Sequence, residues 1–152
     1  MQMRPSLLSC LLALLAATGG VHAATGAELF ATHCQVCHQA TGEGAPGIAP
    51  PLAGTLARRA ALPEGRAWLA QTLISGMTGP ITSRGEPYNG NMPSFAALPD
   101  ADLAAVLGHV LAHFNDSSVQ PLAEDFAAAR TRSVKAGEHR QQRSRLLAQT
   151  GE

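Results

Sequence analysis

Large side chains are scarce in this sequence: 4 Phe, 1 Trp and 1 Tyr are its only aromatic residues in 152, and much of its apolar content is alanine. A small domain built from such residues needs a staple or a bound group to complete its core. Cysteine is scarce too, and 3 residues are too few for a disulfide-rich scaffold. Neither sign of charge prevails, since 11 Lys and Arg balance 11 Asp and Glu. That balance excludes a strongly basic nucleic-acid-binding surface and a highly acidic solvating tail. Long apolar runs are missing as well. A bilayer span needs about 20 such residues, and Leu7 to Ala17 supplies only 11, interrupted by Ser9 and Cys10. The length favours one domain of ordinary size with some sequence left over.

That apolar run has the setting of an export signal rather than of an anchor. Arg4 precedes it with no acid nearby, Thr18-Gly19-Gly20 ends it, and Val21-His22-Ala23 offers small residues to a signal peptidase. Residues 1–23 are therefore expected to be a cleaved signal peptide, and the mature chain to reside in the periplasm. Leu7-Leu8-Ser9-Cys10 loosely matches a lipoprotein site, but cleavage there would waste most of the apolar run. Removal of residues 1–23 takes away Arg4 and Cys10, leaving 10 bases against 11 acids, a net charge of −1, and two cysteines. In an oxidising compartment free thiols tend to be oxidised unless something captures them.

Those two cysteines form Cys34-Gln35-Val36-Cys37-His38. On one helical turn, residues i and i+3 face the same way. Two sulfurs so placed can bond the two vinyl groups on one edge of a haem, while the adjacent imidazole points at the iron; this spacing is the signature of c-type haem attachment. A zinc site would need further ligands at fixed spacing, and no second Cys or His pair supplies them. A thioredoxin-like pair would open a helix after a strand, yet the residues before Cys34 are helical in pattern. A disulfide between Cys34 and Cys37 would close a small strained loop. One haem c, held through two thioethers to Cys34 and Cys37 with His38 on the iron, is the expected cofactor.

From Ala27-Glu28-Leu29-Phe30 through the haem motif, Thr41-Gly42-Glu43-Gly44, Pro46, Ile48-Ala49-Pro50-Pro51-Leu52-Ala53-Gly54 and Tyr88-Asn89-Gly90-Asn91-Met92-Pro93 to a final amphipathic helix, the chain resembles the class I monohaem c-type cytochromes. The resemblance covers about residues 25–114. It implies an all-α, cytochrome c-like fold wrapped around one covalently attached haem, with residues 24–114 as the haem-binding domain. It also implies Met92 as the second axial ligand, because the family's ligating Met lies in a loop just ahead of the last helix. Pro93 stiffens that loop, and Met77, the other methionine of the mature chain, reads as packing or flexible-loop sequence. The family pattern gives His38 a proline carbonyl as its second-shell acceptor, at Pro50 or else Pro51. Arg58, Arg59, Trp68 and Tyr88 are candidates for contacting the haem propionates, beside plain solvation or core packing.

Around these residues the pattern is helical. Leu103, Val106, Leu107, Val110, Leu111 and Phe114 form one stripe, and Asp100 and Asp102 suit the helix start. In the resembled fold this helix crosses the N-terminal one, with Gly26 set against an Ala or Gly108 and Phe30 packed beside the crossing. Glu64 to Ser75 reads as a helix with Trp68, Leu69, Thr72 and Leu73 inward, and Ile81 to Tyr88 as a short hairpin or tight loop. Residues 115–152 exceed the family core. Leu122, Phe126 and Ala129 are spaced to pack a short helix back on the domain. Arg130 to Arg145 carries 6 bases and one acid, a composition suited to a solvated helix or disordered end, or to a docking arm for an acidic partner or membrane surface.

His/Met ligation implies one-electron transfer without substrate binding at iron. The expected role is a periplasmic carrier, free or as the cytochrome subunit or acceptor of a small-molecule dehydrogenase. Its partners are then redox proteins: a dehydrogenase, an oxidase or another cytochrome. The alternative is a haem sensor or peroxidase-like enzyme with a dissociable Met ligand, although no distal His/Arg pair suited to peroxide cleavage is recognisable. The sequence has a single lysine, Lys135, so the lysine ring of mitochondrial cytochromes c is absent. Docking is expected through apolar and hydrogen-bonding contacts.

Overall fold

The computed structural model describes residues 23–151; the expected signal peptide, apart from Ala23, lies outside them. Among the described residues the elements run α1 (Gly26–His33), α2 (Gln35–His38), α3 (Ala57–Ala61), α4 (Pro63–Ser75), β1 (Met77–Thr78), β2 (Ile81–Ser83), β3 (Glu86–Tyr88), β4 (Asn91–Met92), α5 (Asp100–Asn115), α6 (Ala123–Arg130) and α7 (Ala136–Thr150). The fold is mostly helical, as a chain with no sustained period-2 alternation requires.

A capping box starts α1: the Thr25 hydroxyl accepts from the Glu28 amide at 3.3 Å, and the Glu28 carboxylate accepts from the Thr25 amide at 2.8 Å. Two of the helix's orphan donors are thereby satisfied. The helix crosses α5 at Gly26, where a Cβ would run into the carbonyl of Ala105 and the Cβ of His109. The small partner is thus Ala105; Gly108 instead faces Pro121. Phe30 fills the crossing, its ring 5.0 Å from Phe114 and 5.7 Å from His109.

The stripe on α5 buries Leu103, Val106, Leu107, Val110 and Leu111, while Phe114 is half-buried over Gly42. At the end of α5 the buried Asn115 accepts from the amides of Thr55 (3.0 Å) and Leu56 (2.9 Å) and donates to the Val110 carbonyl (3.0 Å). One side chain thereby satisfies the donors that open α3 and ties that turn to the last helix of the family core. Pro63 opens α4, where its missing N–H costs nothing. The helix is buried from Trp68 to Ile74, on more than one face, because α3, α6 and α7 all pack on it.

The strands are too short to show alternation in sequence. β2 and β3 form the expected hairpin, with Ile81 opposite Tyr88, and β1 pairs antiparallel with β4, Met77 opposite Met92. The extension departs most from expectation. Helix α6 buries Phe126 and Ala129, but Leu122 is 58 % exposed rather than packed. The basic segment is neither a solvated helix nor a disordered end: α7 lies on α3 and α4 and buries His139, Arg143 and Leu146. His139 stacks on Trp68 at 5.1 Å, its Nε2 lies 2.8 Å from the Thr72 hydroxyl, and its carbonyl accepts the Trp68 indole N–H at 3.0 Å.

Two outcomes test this packing. Gly26→Ala is expected to lower unfolding free energy by about 1–3 kcal/mol, because the new methyl must push the helices apart; guanidinium titration of the holoprotein measures it. Burial lowers the His139 pKa from 6.5 to about 4. The unfolded chain therefore takes up a proton that the fold resists, and stability falls as pH drops from 6.5 toward 4. Acid titration should find that loss smaller in His139→Gln than in wild type.

Candidate haem-binding site

Helix α1 ends at Cys34, and α2 follows at once, so Cys34, Cys37 and His38 lie on one tight turn closed by the Cys37 and His38 amides on the Cys34 carbonyl (3.2 and 2.9 Å). Both cysteines are half-buried and unbridged. Burial, with the neighbouring Cys37 adding to it, pushes the Cys34 thiol up to about 11.

The imidazole of His38 is buried, and its Nδ1 lies 3.0 Å from the Pro50 carbonyl. A carbonyl can only accept, so Nδ1 carries the proton and Nε2 keeps its lone pair. Burial lowers the His38 pKa against the opposing pull of the Pro50 hydrogen bond, which keeps the ring in its neutral, metal-binding form. The Pro50 carbonyl is placed by a compact loop in which Ala45 and Ala49 exchange backbone bonds of 2.9 Å and the Gly44 amide donates to the His38 carbonyl at 2.9 Å. Gly44 has φ +76°, and a Cβ there would collide with the Ala49 and Pro50 carbonyls. Only glycine suits both demands.

Beyond the His38 ring opens a mostly apolar cavity. Cys34, Cys37, His38 and Pro50 line one side; Leu69 and Leu73 of α4 and Val106, Leu107 and Val110 of α5 line others; Met77 and Met92 of the β1–β4 ribbon also border it. Tyr88 is buried on its wall. The four residues expected near the propionates separate. Arg58 is exposed, donates to the Thr150 and Gly151 carbonyls (3.1 and 3.4 Å), and does not reach the cavity. Trp68 borders the cavity, but its single N–H is committed to His139, so it forms wall rather than a propionate contact. Arg59 is buried on the wall, donates to the Thr55 carbonyl, and lies over the Trp68 ring.

Sequence reasoning missed Arg143. It comes from α7, is buried, donates to the Thr82 carbonyl at 2.9 Å and borders the same cavity. Its signal was the spacing His139, Arg143, Leu146, a helical stripe whose polar members hid it from a search for apolar periodicity. No carboxylate lines the cavity among the described residues. Arg59 and Arg143 thus bring two guanidinium groups to the cavity wall. An apolar slot bordered by two cysteines, a neutral imidazole, two thioethers and two guanidinium groups fits a flat, mostly apolar macrocycle.

Comparison with known proteins agrees with this geometry. Residues 23–113 match the cytochrome c family. Over 113 residues the chain is 40% identical to cytochrome c-552 of Thermus thermophilus, covering 74% of this chain and 86% of the relative. Another cytochrome c-552 of the same organism is likewise 40% identical over 74% of this chain and 76% of its own length. A helical fold closed around a Cys-x-x-Cys-His turn defines a c-type haem protein. The chain belongs to the cytochrome c family, as a class I monohaem member of these electron-transfer proteins with covalently bound haem c.

Gly44→Ala tests how His38 is set. The variant is expected to lose about 1–3 kcal/mol from the strained φ and to shift the haem's reduction potential as the Pro50 carbonyl moves, measured by denaturant unfolding and spectroelectrochemistry.

Proposed function

We propose that this protein is a periplasmic one-electron carrier, exported by residues 1–23, in which residues 24–114 hold one haem c and residues 115–152 extend that domain. Cys34 and Cys37 carry the two thioether links, and His38 Nε2 and the Met92 thioether are the axial ligands. The observation that carries this reading is that all four residues border a single apolar cavity. When bound, the haem supplies a one-electron ferric/ferrous couple. The chain's own residues orient and shield it. The Pro50 carbonyl fixes the His38 ring and raises its basicity as a donor. The soft neutral sulfur of Met92 favours the ferrous state and raises the potential. Arg59 and Arg143, both on the cavity wall, would add positive charge toward the propionates, and the aliphatic walls of α4 and α5 would exclude water.

Both methionines border the cavity, and Met92 is assigned because it lies on the strand that Pro93 ends, ahead of α5, where the family places its ligand. Electron exchange with a dehydrogenase, an oxidase or another cytochrome would occur at the rim beside the attachment turn. Val36 is 82 % and Ile48 62 % exposed there, and both border the cavity mouth. Small apolar contacts of this kind suit a partner that must leave quickly.

The test is carbon monoxide addition to the ferrous holoprotein. Wild type and Met77→Ala are expected to show no spectral shift, whereas Met92→Ala should bind at once. Rapid binding by wild type would instead favour a sensor or peroxidase-like site, and binding by Met77→Ala alone would move the ligand to Met77.

A further inference from the structure

Residues 116–151 lie beyond the family match, which ends at residue 113, yet two of their arginines bond the chain leaving the strand that carries Met92 and the strand paired with it. Arg130, the last residue of α6, spans the stretch between β4 and α5. Its Nη1 donates to the Ala96 carbonyl at 2.6 Å, its Nη2 to the Leu98 carbonyl at 2.7 Å, and its Nε to the Asp100 carboxylate at 2.7 Å. A single planar guanidinium thus fixes three points of the chain leaving Met92, which a point-like ammonium cannot do. Helix α6 is itself anchored by Phe126 and Ala129, both buried.

Arg140, on α7, holds the other side. Its Nη1 donates to the Thr78 carbonyl at 2.5 Å. Thr78 pairs with Asn91 in the β1–β4 ribbon, one step from the Met77–Met92 pair. The guanidinium reaches that carbonyl because position 79 is glycine at φ +90°; a Cβ there would fall 2.7 Å from Arg140 Nη1. Inside the ribbon, Gly76 lets the Met92 carbonyl approach the end of α4, and the Ser94 hydroxyl donates to the Ile74 carbonyl at 2.5 Å. The family core therefore holds the inner side of the strand, and the extension holds its partner strand and its exit.

We propose that the extension is a clamp on the distal ligand, in which Arg130 and Arg140 are positioning residues that keep the Met92 thioether on the iron. The inference rests on the assignment of Met92 as axial ligand. Thioether-to-iron bonds are weak enough that the strand's own mobility sets how often the sulfur leaves. Bonds to the Thr78 carbonyl of the partner strand and to the Ala96 and Leu98 carbonyls downstream restrict that mobility without touching the metal. The clamp is thus a device for keeping the same six ligands in both oxidation states and keeping other ligands out.

The experiment uses holoprotein variants Arg130→Ala, Arg140→Ala and their double, with Arg130→Lys as the conservative change and Arg145→Ala as an exposed control on the same extension. Two readouts are taken at a temperature well below every variant's melting point: the pH midpoint at which the ferric sulfur-to-iron charge-transfer band is lost, and the rate at which imidazole displaces the sulfur. Each single Ala variant is expected to speed displacement about tenfold, as loss of charge-assisted hydrogen bonds implies, and to lower the band's midpoint. The double variant should exceed both. Arg130→Lys should recover little, since it restores one charge but not the fork, and Arg145→Ala should match wild type. Lower melting points with unchanged displacement rates would overturn the clamp and leave the arginines as ordinary packing. A wild-type protein without the charge-transfer band would overturn the Met92 assignment, and the clamp with it.

Discussion

Everything in this molecule is arranged around an apolar cavity that its own side chains do not fill. The walls come from α4, α5, the Cys34–His38 turn and the β1–β4 ribbon, and the largest fully buried side chains are Phe126, Leu103, Leu111 and Leu146. With so few aromatic residues, the chain lacks the bulk to close that space by collapse. A bound macrocycle supplies it, and each apolar wall removed from water contributes at roughly 25 cal/mol per Å². Cofactor binding and folding are therefore one free-energy change seen from two sides. The same slot that stabilises the fold also sets a low-dielectric surround for the redox centre.

An apolar slot alone would leave the ligands free to wander. What fixes them is a set of backbone carbonyls brought unusually close, each admitted by a glycine. Gly26 lets α1 sit against Ala105, Gly44 makes room for the Pro50 carbonyl, Gly65 accepts the carbonyl of Arg59, and Gly76 accepts that of Met92. Two of these contacts set helix positions, and two set the chain at His38 and Met92, the proposed axial ligands. Backbone groups make good positioning devices because their direction is dictated by the chain rather than by a rotamer. Asn115 plays the equivalent role with a side chain, joining α5 to the turn that begins α3.

How much of this is legible in the sequence depends on the range of the signal. The Cys34-x-x-Cys37-His38 turn, the apolar stripe of α5 and the hairpin at Ile81–Tyr88 are local patterns with a fixed period or spacing, and the structure contains each of them. The small partner of Gly26 is legible in kind, though Ala105 rather than Gly108 occupies the place. Pairing of Met77 with Met92 is not legible, because two-residue strands carry no alternation and their register depends on how α4 meets the loop ahead of α5. Arg58 and Arg59 are adjacent and chemically identical, so sequence cannot separate the exposed one from the buried one. The extension misleads for a different reason. Its composition is that of a solvated helix, and composition says nothing about where an arginine's donors end up.

That last point bears on how the carrier meets its partners. Between Arg130 and Arg145 the sequence holds six bases and one acid, which as a charge run would suggest electrostatic steering. The structure engages half of those bases inward: Arg130 on the approach to α5, Arg140 on the ribbon, Arg143 on the cavity wall. Arg132, Lys135 and Arg145 remain exposed, with the exposed Glu138 among them. A run that looks like a docking arm is thus largely a set of bolts driven into its own domain. Guanidinium groups suit that use, because each can bond several carbonyls while its stem covers apolar surface. With steering charge so reduced, the exposed Val36 and Ile48 beside the cavity mouth are left as the more distinctive surface. Apolar contact is weakly sensitive to salt, and it fits a carrier whose encounters with its redox partners are brief.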